Sequence, residues 1–565
     1  MHFVALFVFA IVFAGLFYLT NAQLALDSLG FWIILGVACA ATFLVPAPRS
    51  ASMGRGKQES AELNPAKLLA LVVICLAVVA VAGLSVASMG MLRSSALHGL
   101  LGEEKSLDFK KALPPLDLVN APLVSYDMAE RAAEKKLSEI PALGSQTKVG
   151  HLQKQLVNGK LYWIGLLEHR SFFTWWSRGA TPGYVRVSAT NPSDVELITE
   201  LAGRKLKLTY LRSAYGFDHA MRSLRWGGYA SAGLADMSPE IDDTGRPFLV
   251  TTIHKREVGF GGRDAVGVVV LDVQTGASQR YSVEDAPKWI DRIQPDAFVQ
   301  SQLADRLEYV HGWLNPSQTD RLSISGELDV IYGTDGRAHF FAGLGSKARE
   351  GGLVGFVLID TRTKEVVRYN IAGVTEQVAQ AAAEGVFPEK RYSATNALPF
   401  LVNGLPAYVM ALRDGTGIPR AYAVVALTDF QKVAVADTLD SAVRLFQSKL
   451  NLDRTQTDSA NRADEVTVTG KVRRISTEVR AGVSNYALML EGQGSKLFVA
   501  DVNRAEYLSV TQPGDMVQVR TLQVPASTVP ILQFRNLELQ GAANADAPDA
   551  APPPAASPAH PVSVP

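Results

Sequence analysis

Apolar and polar positions divide the chain into regions of different character. In the first ninety residues apolar side chains run almost unbroken through residues 3–19, 31–46 and 68–89. The third run is long enough for a helix to cross the roughly 30 Å of a bilayer core, and the first two lie near the lower limit of about 17 residues. No Asp, Glu, Lys or Arg falls inside them, so they read as an anchor and not as a transport path. Thr20-Asn21-Ala22 loosely resembles a signal cleavage site. Only His2 precedes the first run, however, and without a basic n-region a retained helix is expected. The loop 20–30 carries Asp27 and no cation, whereas 47–67 carries Arg49, Arg55, Lys57 and Lys67. The positive-inside rule therefore puts 47–67 in the cytoplasm. With three spans in 1–92, the body after Met89 is extracytoplasmic.

Beyond a connector at 93–126, which holds Pro114-Pro115, the pattern becomes that of a mixed α+β body. Met128, Ala129, Ala132, Ala133 and Leu137 recur with helical spacing. Strand-like runs follow at 161–167, 183–188 and 195–198. The same order recurs later, with a helix over 375–384 and strands over 407–412, 421–427 and 432–436.

Between these lies a near-duplication. Val266-Gly-Val-Val-Val-Leu-Asp272-Val-Gln-Thr275 through Arg280-Tyr281 aligns without a gap with Val354-Gly-Phe-Val-Leu-Ile-Asp360-Thr-Arg-Thr363 through Arg368-Tyr369, an offset of 354 − 266 = 88. In each, an apolar strand leads to Asp-x-x-Thr, whose side chains favour a turn, and then to a second strand. Thr244-Gly-Arg246 and Asp335-Gly-Arg337 precede the two copies. Four units are thus expected, at 127–217, 218–286, 287–373 and 374–450, each a helix on an antiparallel sheet. Gly336, Val357 to Asp360, Thr363 and Val366 to Tyr369, with Val268 to Asp272, Thr275 and Gly276, resemble the PepSY-type module of bacterial envelope proteins. The resemblance implies a non-catalytic, extracytoplasmic module for inhibition, regulation or scaffolding, without catalytic residues.

Residues 451–464 read as a polar linker. The strands expected in 465–540 open on Val468-x-Gly470-x-Val472-x-x-Ile475 and include Gly514-Asp-x-Val517-x-Val519, which resembles the OB-fold, a small closed barrel. The Ala/Pro-rich tail 541–565 has no apolar periodicity and is expected to be disordered.

Composition narrows the function classes. The 55 basic and 55 acidic residues cancel, so no whole-protein field gathers nucleic acid or anionic lipid. Cys39 and Cys75 both fall in the apolar runs, which leaves the body without disulfides or thiolate metal sites. Ser145-x-x-Lys148 lacks its companion motifs, and Gly259-Phe-Gly-Gly-Arg263 reads as a hairpin loop and not a phosphate loop. The nine histidines never take metal-ligand spacing, and His169 and His254 read as structural. No cofactor, metal, catalytic residue or small-molecule substrate is expected.

Two sets of residues remain as candidate contacts. Phe172, Phe173, Trp175 and Trp176 form an aromatic run at an expected hairpin tip, suited to a membrane interface or a partner. In the barrel, Lys471, Arg473, Arg474, Tyr486 and Phe498 combine cations with aromatics, as single-strand binding requires. The leading expectation is a non-enzymatic, multi-pass protein of the bacterial inner membrane. Its extracytoplasmic repeats would act as scaffold or regulator with other envelope proteins or further copies of itself. The alternative is a membrane-tethered nucleic-acid-binding protein working through the barrel.

Overall fold

In a computed structural model of the chain, the described residues are 2–45, 65–107, 121–333, 336–346, 352–402, 404–457, 465–480, 483–501, 507–522 and 528–540. The architecture is mixed α+β, in two units, Met1–Phe446 and Gln447–Pro565.

Apolar composition makes helices of the N-terminal runs, α1 (His2–Thr20), α2 (Leu29–Ala41) and α3 (Pro65–Ala87). Two segments, Phe3–Thr20 and Lys67–Ala87, are long and apolar enough to cross a membrane. The middle run is shorter than expected. The 13 residues of α2 rise about 20 Å at 1.5 Å each, and a single 3-10 turn, Thr42–Leu44, follows. Lys67 Nζ donates to the Phe43 carbonyl at 3.2 Å, bringing the end of α2 to the start of α3.

The connector is only partly a connector. Gly90–Gly99 is helical, and Glu104–Ser106 adds a parallel edge strand beside Val366–Val374. Pro114-Pro115 lies outside the described residues.

Among the described residues, the body of the first unit contains four larger, mainly antiparallel sheets, each preceded by a helix. The first sheet has Lys160–His169 at its centre, paired with Gln153–Val157, Thr147–Val149 and Tyr184–Ser188, with Val195–Ile198 beyond. The helix Tyr126–Ser138 lays Met128, Ala129, Ala133 and Leu137 on Leu152, Leu167, Val185 and Val187. The sheet's other face meets the second sheet, Gly233–Ile241, Pro247–Val258, Gly261–Asp272 and Ser278–Ser282, in one core through Ile164, Leu166, Tyr184, Leu249, Val269 and Leu271.

In the third sheet, Leu322–Tyr332, Ala338–Ser346, Gly352–Asp360 and Val366–Val374 run in order. The helix Asp296–Glu308 buries Val299, Leu303 and Leu307 against Phe340, Val357 and Ile359. The fourth follows the helix Glu376–Glu384 and is built on Leu405–Arg413, Pro419–Ala426 and Asp429–Ala436. It abuts the third through Val374 N–H to Leu427 O at 2.8 Å and Tyr408 Oη to Val374 O at 3.2 Å.

The two hairpins that align at an offset of 88 are capped alike. Asp272 Oδ1 accepts the Gln274 and Thr275 amides, and Asp360 Oδ1 accepts those of Arg362 and Thr363. In both, the second carboxylate oxygen holds the arginine of the preceding turn, Arg246 at 2.7 Å and Arg337 at 2.8 Å. The equivalent glycines are also constrained. A Cβ on Gly267 would be driven into the Tyr281 carbonyl, and one on Gly355 into that of Tyr369.

Leu439–Thr457 is helical, so the expected linker begins at least seven residues late. Asn451 to Thr457 holds no Gly or Pro to stop a helix already running. The rest of the linker, 458–464, lies outside the described residues.

The second unit is a six-stranded sheet in the order Thr528–Pro530, Leu497–Asp501, Val483–Leu490, Glu465–Arg480, Met516–Leu522, Gln533–Asn536. Glu465–Arg480 pairs with Met516–Leu522 through its first half and with Val483–Leu490 through its second. This curls both flanks around Val472, Leu488, Phe498, Val517 and Phe534. A helix, Leu537–Gln540, replaces the end of the strand expected there. The tail 541–565 lies outside the described residues.

Candidate functional site

The body-side ends of α1 and α3 are bonded into the body, not merely tethered to it. After α1 the Leu24 amide donates to Ala230 O at 2.8 Å, and Gln23 Nε2 to Ser231 O at 3.1 Å. Arg222 reaches Tyr18 O at 3.0 Å and Gly216 O at 2.6 Å while its guanidinium lies over the Tyr18 ring. Arg225 donates to Asn21 O at 3.0 Å and to Tyr229 O at 2.9 Å, and burial lowers its pKa to about 10. Arg256 holds Gln23 Oε1 at 2.8 Å and lies 3.6 Å from Asp27. At the end of α3, Ser88 Oγ accepts the Phe260 amide at 2.7 Å. The Gly259–Arg263 segment is the hairpin turn expected of it, and here it caps a helix end.

The aromatic run 172–176 is a short helix, Phe172–Arg178, rather than a bare hairpin tip. Ser171 and Thr174 exchange a capping box at its start. Phe173 is 78% and Trp176 73% exposed, whereas Trp175 turns inward and donates Nε1–H to Asp218 at 3.1 Å. Phe172 stacks near Trp176 at 5.9 Å and meets the edge of Tyr215 at 5.1 Å. Two residues on, Phe217 packs edge-on with Trp226 at 5.8 Å and with Tyr18 at 5.8 Å, and Trp226 lies 5.3 Å from Phe17. The four predicted residues therefore begin an aromatic shelf that continues to the end of α1. Tyr215, Phe217 and Trp226 were not among the residues expected here. Their signal was present, in an aromatic-rich stretch with Arg222 and Arg225 three residues apart.

A second group joins three of the sheets. The segment 286–293 lies among them, with Arg362 donating to the carbonyls of Ala286, Pro287 and Ile290. Gln155 Nε2 donates to Trp289 O and Ile241 O. At its centre Asp291 Oδ2 accepts the Leu156 amide at 2.5 Å and the Tyr332 hydroxyl at 3.1 Å. Burial pushes the Asp291 carboxyl up to about 6. Glu240, 1% exposed, accepts the Asp291 amide at 3.3 Å, and among the described residues its Oε1 has no hydrogen-bond partner. Burial first, and the neighbouring Asp291 second, raise its pKa well above the usual carboxylate range. Both carboxyls are thus held toward their protonated forms. Nothing in the sequence marked them, since they come from separate elements and each is an ordinary polar residue of a strand or loop.

In the second unit Lys471, Arg473 and Arg474 are exposed on the strand Glu465–Arg480. Tyr486 is half-buried against the core, and Phe498 is fully buried in it. A ring with no exposed face cannot stack on a base, so the structure removes Phe498 from the candidate contacts. Alternation explains it, because Phe498 and Ala500 occupy the inward positions of Leu497–Asp501.

Among the described residues no group of three His, Cys, Asp or Glu could hold a metal. His254 is buried edge-on against Phe298, and burial lowers its pKa to about 4. The chain matches no family model, no curated protein and no solved structure.

Proposed function

We propose that this chain is a non-enzymatic membrane scaffold, with α1–α3 forming an antiparallel bundle in a bacterial inner membrane and the body displayed on its outer face. The observation that carries the reading is the bonding of both membrane-length helices into the body at their C-terminal ends. Arg222, Arg225 and Arg256 grip the end of α1, and the Phe260 amide bonds Ser88 after α3. Such a joint transmits orientation, which a flexible tether would not. Two helices ending on one side require the chain to return between them, and α2 leads from the body side to Lys67 at the start of α3. Its 16 apolar residues with the 3-10 turn complete a third, thin crossing. The cations at Arg49, Arg55 and Lys57 then lie in the cytoplasm.

In this reading the four helix-plus-meander units are copies of one PepSY-like module, and the six-stranded sheet is an OB-like barrel. The Asp-capped hairpins and matching glycines that the second and third units share support the first for those two units. The double pairing of Glu465–Arg480 supports the second. The nucleic-acid alternative has lost Phe498 and retains Lys471, Arg473, Arg474 and the half-buried ring of Tyr486.

Lysine crosslinking of the full chain in native membranes tests the scaffold role. Adducts heavier than the 60.8 kDa chain are expected. A chain recovered only as the free monomer under every crosslinking condition would sink it.

A further inference from the structure

Both body-side helix exits are bordered by exposed aromatic and aliphatic side chains, on segments remote from one another in sequence. At α1 the border is the shelf that runs from Trp226 and Phe217 to Phe173 and Trp176. At α3 it is the turn after the helix Asp296–Glu308. There Tyr309 lies against Gly90, three residues beyond the end of α3, and Trp313 (49%) and Leu314 (77%) point to solvent. Rings of Phe and Trp left half or more exposed cost hydration free energy, about 25 cal/mol for each Å² of apolar surface kept in water. Placed at the end of a membrane-length helix, the same rings lie at the depth where Trp and Tyr concentrate in membrane proteins. Arg170 and Arg178, both exposed, flank the aromatic helix. Their long side chains can reach lipid phosphate while the rings sit lower.

We infer that these two borders form an aromatic seat that rests in the headgroup layer of the same bilayer that α1 and α3 enter, with lipid as the occupant. The inference rests on the anchor reading above. Continuity with the helices argues for lipid over a protein partner, since Phe17 and Tyr18 of α1 are themselves the first rings of the shelf. The seat gives the body a second attachment independent of the clamps. With contacts beside both exits, the body cannot tilt about either helix.

The test uses full-length protein with Cys39→Ala and Cys75→Ala, reconstituted in vesicles of phosphatidylcholine and phosphatidylglycerol. Phe173→Cys, Trp313→Cys or Lys160→Cys supplies a single site for an environment-sensitive fluorophore. Lys160 begins the strand Lys160–His169, roughly 30 Å from the aromatic helix at about 3.3 Å per residue. Lipids carrying a nitroxide near the headgroup should quench labels at 173 and 313 at least about twofold more than the label at 160, because interfacial rings sit at that depth. Alkaline carbonate extraction is run on the same samples. Labels at 173 and 313 that are quenched no more than at 160, in protein that resists carbonate, overturn the seat and leave the anchor standing. Labels shielded from aqueous quencher but untouched by nitroxide lipid would show a protein occupant, and also overturn it. Release by carbonate overturns the anchor itself.

Discussion

Asp291→Asn should stabilise the protein, and only above the pH at which the unfolded chain's aspartates ionise. In the native state burial holds the Asp291 carboxyl at about 6 instead of 3.8. The unfolded state therefore releases this proton first as pH rises. Native stability falls between pH 3.8 and about 6 and stays lower above that range. A displacement of about two pH units at 1.36 kcal/mol each is about 3 kcal/mol. The amide is neutral, and its Oδ1 can still accept from the Leu156 N–H or the Tyr332 O–H. Thermal unfolding of the full chain in detergent, followed by tryptophan fluorescence, reports on the site through Trp289, whose carbonyl accepts from Gln155 at 2.9 Å. The variant should gain up to about 3 kcal/mol above pH 6 and nothing below pH 3.8. A variant less stable than wild type above pH 6, or one that gains equally at both ends, would refute the reasoning. The first result would mean that the ionised carboxylate, through its two donors, outweighs its burial, and the second that the gain does not come from its ionisation.

Three further predictions concern the duplicated hairpins and the clamp. Asp360→Ala removes the acceptor for the Arg362 and Thr363 amides and the partner of Arg337. It should cost about 2–4 kcal/mol in chemical denaturation, since hydrogen bonds to charged groups contribute about 1.5–3 each and share one side chain here. Asp360→Asn should lose less, because Oδ1 still caps the turn. Gly355→Ala drives a methyl into the Tyr369 carbonyl and should lower the midpoint by an overpacking cost of about 1–3 kcal/mol. If the midpoint is unchanged, the two strands are not packed as described. Arg222→Ala deletes the donors to Tyr18 O and Gly216 O. Hydrogen exchange in 216–230 should then quicken in the anchored protein, while exchange in the third sheet does not change.

What the sequence disclosed were the features set by local chemistry. The helix at Met128–Leu137 and the strands around 161–167, 407–412 and 432–436 announce themselves by period, and the structure places them within a few residues. The Asp-x-x-Thr turns were legible because an aspartate caps its own turn whatever surrounds it. Elements that depend on distant partners were not. Glu104–Ser106 is a strand only because Val366–Val374 offers it an edge. Phe172–Arg178 looked like a hairpin tip because its cap is Ser171 with Thr174, without the acidic residue that usually marks a helix start. The Glu240–Asp291–Tyr332 group draws on three elements up to 92 residues apart (332 − 240). No local pattern encodes that meeting. Phe498 shows the opposite failure, where an aromatic of the right type was counted as a contact although strand alternation already turned it inward.

In the proposed topology the chain crosses the membrane with the body on one side and residues 46–64 on the other. A membrane-impermeant maleimide applied to spheroplasts tests it, with Cys39 and Cys75 replaced by Ala and a single cysteine introduced as Lys160→Cys or Arg55→Cys. Labelling of Lys160→Cys in intact spheroplasts, and of Arg55→Cys only after lysis, is the predicted result. The reverse pattern, or labelling of both before lysis, would contradict the account.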